Sequence, residues 1–337
     1  MSDQVSIAPV LGAPAARPWH KAAIGCAVAA ACAAPLLAGP SLMSTASAIL
    51  VLGLFAMSMT FLFGFAGLPI IGHAVFRGIG AYIAAVLSIR WSTNLFVILF
   101  LAVLGAALAG FLFALVALRA RQLQLMMTSI AFVGLIKALA EQLTGITGGD
   151  DGLSGIPPFH LAIAGTGLDV TLDTPVTLYL TTLIVVGLSY VAMRVLLASP
   201  FGQLVVAVRD NETRVRAIGI VPRHILNVWV SIASAFAGAA GALHVMLYNF
   251  VAPSILSLSA CVTGLIMMVI GGDRKLMGGM VGAAVLFLVQ DELYSITRHW
   301  SLILGLLLIV FVLATKGGIV GTVERLWRRS TSPECRR

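Results

Sequence analysis

About ten apolar stretches, each near the length that crosses a bilayer, leave this chain few ways to fold. A spanning helix needs about 20 apolar residues. The candidates are residues 21–39, 44–63, 67–89, 94–118, 123–143, 175–197, 224–248, 255–272, 276–296 and 300–316. Asp291 and Glu292 make 276–296 the least regular of them. Only 10% of the residues are charged, against about 25% in a soluble domain. The fold class is therefore an all-α integral membrane protein, a polytopic helical bundle of about ten transmembrane segments.

Residues 1–19 are polar and proline-broken and read as a disordered N-terminal segment. Residues 22–37 are Ala-rich like a signal h-region, and Ile24-Gly25-Cys26 is a poor lipobox match, so a retained first helix is expected. The transmembrane domain runs over 20–318 and a basic tail over 319–337. With the N-terminus in the cytoplasm and the spans alternating, Lys and Arg gather inside. Arg90 and Arg298 fall outside, and Lys137 lies within a span. That asymmetry is what the positive-inside rule requires, and it puts both termini in the cytoplasm. The loop 144–174 lacks Lys and Arg but carries Asp150, Asp151, Asp169 and Asp173, as suits an external loop. The net charge of +8 then reads as cytoplasmic loop charge facing anionic lipid rather than as a nucleic-acid surface.

The four cysteines, Cys26, Cys32, Cys261 and Cys335, show neither metal nor disulfide spacing. No Walker A, H-E-x-x-H, paired catalytic Asp or Ser/His set occurs, so no catalytic residue, metal ligand or cofactor is assigned.

Residues 199–222, SPFGQLVVAVRDNETRVRAIGIVP, form the one long charge-dense run between strongly apolar ones. Each charge at mid-bilayer costs about 2.5–3.5 kcal/mol, so the run is not a span. Ser199 can cap a helix with Pro200 at its first position. Phe201, Leu204, Val205 and Val208 share one face at i, i+3, i+4, i+7. A second short turn carries Val215 and Ile218. An amphipathic, charged helix pair tethered by spans is a docking surface; the alternative is a solvated loop.

Residues 64–82, GFAGLPIIGHAVFRGIGAY, break the spanning pattern with six glycines and prolines. Such a broken helix either lines a translocation path, through Gly67, Pro69, Gly72 and His73, or is a kinked packing helix. Lys137 and Glu141, at i, i+4, should neutralise each other near a helix end. His244, on the small-residue face with Ala237, Gly238, Gly241 and Ala242, reads as a hydrogen-bonded packing histidine.

Four stretches together resemble the permease subunits of bacterial ABC importers for branched-chain amino acids. They are residues 64–82, TGGDDGLSGIP at 147–157, SPFGQLVVAVRDNETRVRAIGI at 199–220 and GGDRKLMGG at 271–279. Their order and spacing match as well, so the likeness covers residues 40–320. The third stretch is the most specific. The resemblance implies a permease in the bacterial inner membrane that pairs with a paralogous permease subunit. It further implies two ABC ATPase subunits below and a periplasmic substrate-binding protein above. The 199–222 loop then becomes the ATPase-coupling loop. Phe201, Leu204 and Val208 are its expected anchors, and Arg209, Asp210, Asn211 and Glu212 its polar contacts. If the apolar face instead rests on the chain's own helices, the charges remain as the contact set. This sequence departs from the family pattern at Ile70, where serine is common, and at Arg77, where an aromatic is. It departs again at Gly134, often an acid, and at Arg274 and Lys275. Branched-chain amino acids are the implied substrates, with urea or short amides as the alternative within the class. A self-sufficient secondary transporter is the alternative outside it, and it would need inward-facing ionisable residues.

Overall fold

The computed structural model describes residues 39–91, 93–120, 122–162, 169–272 and 275–296, with Gly305 and Gly318. Helix α1 (Pro40–Thr60) passes into a π-helical turn, Phe61–Phe65. After the irregular residues 67–70, a 3-10 turn, Ile71–His73, leads into α2 (Ala74–Arg90). Then come α3 (Leu95–Ala117), α4 (Gln122–Gln142) and the single turn α5 (Thr144–Thr147). A small antiparallel hairpin follows, β1 (His160–Ala162) with β2 (Asp169–Thr171). Next are α6 (Pro175–Ala198), α7 (Pro200–Asp210), α8 (Glu212–Ala217) and α9 (Pro222–Tyr248). The last are α10 (Leu258–Gly271) and α11 (Leu276–Ile296).

Seven of these helices are long and apolar enough to cross a membrane. The expected span at 255–272 is shorter than anticipated. Pro253–Leu256 forms a 3-10 turn, Ser257 caps the next helix, and α10 keeps 14 residues. At 1.5 Å per residue that is about 21 Å, short of the ~30 Å hydrocarbon layer. The spans expected at 21–39 and 300–316, the N-terminal segment and the basic tail lie outside the described residues, as does Arg274.

The helices form an inner and an outer set. α1, α2 and α9 are mostly buried, while α3, α4 and α6 turn rows of Leu, Ile, Val and Phe outward. The inner set closes through small residues. A Cβ at Gly241 would meet the Arg77 carbonyl and the Ala81 nitrogen, and one at Gly80 would meet the Gly238 backbone. Backbones this near are the usual means of helix association in lipid, where apolar burial alone does not distinguish a partner helix from a lipid tail.

Loops sort to two ends. At one, His160 N donates to Thr93 O (2.7 Å), Arg90 Nη2 to Gly145 O (2.8 Å), and Leu153 N to Val251 O (2.8 Å). At the other, residues 64–70 meet α7. These are the loop groupings that alternating spans require. Arg77, grouped by the sequence with the inner-loop cations, instead lies buried within α2.

Gly241→Val should overpack the α9–α2 crossing. The expected loss is about 1–3 kcal/mol, visible as a lower thermal midpoint of the detergent-purified protein. Gly134→Ala, in a helix position open to 4 Å on every side, should instead gain about 0.4–1 kcal/mol. Equal midpoints for the two variants would refute the close approach.

Candidate functional site

The broken segment and the charged helix pair, distant in sequence, meet in space. α7 begins at Ser199, whose Oγ accepts from Gly202 N (3.2 Å), with Pro200 in the first turn. It ends at Asn211, whose Oδ1 accepts from Arg214 N (3.0 Å) and so starts α8. The apolar face of α7 turns inward. Val205 and Val208 are buried, and the Phe201 ring stands 5.9 Å from Trp229. Of the expected anchors, then, Phe201 and Val208 are engaged within the chain, and Leu204 is half-buried. The physical reason is that an i, i+3, i+4, i+7 stripe fits the chain's own core as well as it fits a partner.

Arg209 also turns inward. Its Nη1 donates to Gly64 O (2.7 Å), while its Nε and Nη2 hold Asp210 Oδ1 (3.0 and 2.8 Å). What remains outward is Asp210, Asn211 and nearly all of α8, where Glu212 pairs with Arg216 (2.6 Å). Two apolar side chains stand out among these charges, Ile218 at 70% exposure and Val221 at 54%. Sequence reasoning placed Ile218 on the second turn but did not single it out. The signal was its position, beyond the last helical turn of α8 and next to Gly219.

The break is held by side chains from elsewhere. Widening a helix to a π-turn releases carbonyls from the regular ladder. The indole Nε1 of Trp229 donates to Phe61 O (2.9 Å), its ring stacked on Phe61 at 3.9 Å, and Arg209 takes Gly64 O. Gly67 follows at φ +67°, and a Cβ there would strike the stem of Arg209. That left-handed conformation suits glycine and costs other residues about 1–2 kcal/mol. Pro69 is half-buried, and Gly72 lies against the Ser129 carbonyl of α4.

His73 is fully buried, with Nε2 and Ser58 Oγ 3.0 Å apart. Its ring stacks with Phe55 (6.1 Å), and the guanidinium of Arg77, one turn on, lies 4.6 Å over the same ring. Gly67 and Pro69 thus lie half-buried in an irregular stretch, with Gly67 against Arg209 of α7, while Gly72 and His73 lie in the buried 3-10 turn against α4 and α1. Lys137 and Glu141 form the expected pair at 3.3 Å, and both are substantially exposed. His244 is held by a ring contact with Tyr248 (4.6 Å) where a hydrogen bond was expected. Among the described residues no group of three His, Cys, Asp or Glu is placed to hold a metal.

The sequence family described as the branched-chain amino acid transport system / permease component matches residues 41–313. Two relatives are high-affinity branched-chain amino acid transport system permease proteins LivM. That of Escherichia coli (strain K12) is 29% identical, over 84% of this chain and 71% of its own length. That of Salmonella typhimurium (strain LT2) is 29% identical, over 88% of this chain and 74% of its own. No solved structure matches the chain.

Arg209→Met would leave Gly64 O without its donor, at a cost of about 1–3 kcal/mol. Amide hydrogen exchange should speed up in peptides spanning 61–70 while α3 and α9 keep their protection. An unchanged rate at 61–70 would show that Arg209 does not brace the break.

Proposed function

Because this chain belongs to the family of branched-chain amino acid transport permease components, we propose that it forms one half of an ATP-driven import path. In this reading a second, paralogous permease completes the path, and two ATPase subunits dock on the α7–α8 end. A substrate-binding protein delivers branched-chain amino acids at the opposite end. The chain itself does no chemistry; it converts ATPase closure into alternating access. The α7–α8 end faces the cytoplasm, in keeping with the distribution of Lys and Arg.

One observation carries this proposal: Arg209 joins the charged helix pair to the broken segment through Gly64 O. A displacement of α7 reaches the one place between α1 and α2 where the backbone leaves regular helix. Interface affinity concentrates in a few desolvated anchors, and surrounding charge mainly steers. With Phe201 and Val208 taken up internally, Ile218 and Val221 are the anchors this surface offers, ringed by Asp210, Asn211, Glu212 and Arg216. A secondary transporter driven by a cation would need an acidic group facing the path to carry it. The buried polar side chains among the described residues include His73 and Arg77 but no Asp or Glu, which favours the ATP-driven reading.

Glu212→Lys is a cleaner test than a change at Asp210, because Asp210 also holds Arg209. With Glu212→Lys or Ile218→Asp, ATPase subunits should co-purify less, and ligand-stimulated ATP hydrolysis and uptake should fall together. The affinity of the binding protein for its ligand should stay unchanged. If both variants assemble and transport like the parent, the loop is a solvated connector. Reporters fused after Asp151 and after Asn211 should report the outside and the cytoplasm, respectively; one common side would overturn the span arrangement.

A further inference from the structure

We propose that Arg77 recognises the carboxylate of the amino acid in passage, in a site walled by Phe55, Tyr248 and the first turn of α10. The inference rests on the permease reading above and names the contact that reading lacks. Arg77 is 7% exposed, in the body of α2, and its Nε has no hydrogen-bond partner. Among the described residues its guanidinium makes no ion pair, and no buried Asp or Glu exists to supply one. Its guanidinium lies 4.6 Å over the face of Phe55. A charge kept at membrane depth without a counter-charge is costly, and its usual explanation is function. The planar fork of guanidinium donors matches a carboxylate in particular.

The surroundings fit an amino acid better than an inorganic anion. The turn that leads into α10 is buried at Ile255 and Leu256, and Cys261 in the helix's first turn is buried as well. Leu256, just before the helix, packs where a Cβ at Gly78 would lie. Gly78 is about 18 Å along α2 from Arg90 at the loop end. Cys261, in the first turn of α10, and Tyr248 both lie within electrostatic reach of Arg77. The positive end of a helix dipole therefore lies near the guanidinium, an arrangement that favours an anionic group. Phe55, Leu256 and the His244–Tyr248 ring pair supply apolar surface around Arg77 that suits an aliphatic side chain.

The test uses the whole complex with leucine as the probe. In proteoliposomes, Arg77→Met should lower leucine uptake at least tenfold with both permeases and the ATPases still co-purifying, and Arg77→Lys should retain a measurable fraction. In the parent complex, purified without binding protein, leucine should raise the thermal midpoint, and leucinamide, which lacks the carboxylate, should not. This second arm decides the matter even if the variants fail to assemble. Normal leucine uptake by Arg77→Met, or equal protection by leucinamide, overturns the inference. So does loss of the second permease alone from the Arg77→Met complex, which would assign the cation to an acid of that partner. A parent complex that moves no amino acid sinks the permease reading as well, whereas a working parent with an indifferent Arg77→Met sinks this inference alone.

Discussion

A buried backbone N–H or C=O must find its partner inside the protein, and residues 61–73 meet that demand with borrowed donors. A π-turn followed by four non-helical residues would leave buried carbonyls bare. Trp229 from α9 and Arg209 from α7 cover Phe61 O and Gly64 O. The break is therefore braced by those two elements. An uninterrupted helix, with all its bonds internal, would be indifferent to both.

The small-residue face of α9 makes the borrowing possible. Gly238 and Gly241 let α9 lie against α2 and α3 at backbone distance, which seats Trp229 under the π-turn and draws α2 into the centre of the bundle. His73 and Arg77 then project on one side of α2, a turn apart, against the same Phe55 ring. A polar pair at that depth survives because aromatic surface and enclosure replace water. Larger residues at 238 or 241 would push α9 away and loosen both arrangements together.

Much of this was legible in the sequence. The 20-residue apolar periods located the seven spanning helices among the described residues to within a few residues. Alternation of the spans sorted the loops into the two groups that the hydrogen bonds at each end join. The glycines and proline of 64–82 marked the break. What composition could not convey was direction. Phe201 and Val208 have the spacing of a docking face, yet the same spacing serves a helix lying on its own core, and only the presence of Trp229 beneath decides between them. Arg209 looked like one more exposed charge because its acceptor is a main-chain carbonyl 145 residues away. Arg77 was visible only as an odd residue for its place, since burial and the want of a counter-ion are properties of the assembled bundle. The shortness of α10 was hidden because Pro253–Leu256 is as apolar as the helix it precedes.

Magnitudes limit what the Arg209 contact can contribute to transport. Taking a two-state equilibrium from 1:99 to 99:1 requires about 5.5 kcal/mol of differential affinity. A hydrogen bond to a charged group supplies about 1.5–3 kcal/mol. The contact with Gly64 O is therefore too weak to drive a change of access and strong enough to direct one. On the proposed function the driving term comes from partners that bind the two states unequally, and Arg209 would decide which part of this chain feels their movement. Because Gly67 can absorb a backbone rotation that a residue with a Cβ would resist, the rotation falls on residues 67–70. On the proposed function α2 would then move as one body, carrying Arg77 with it.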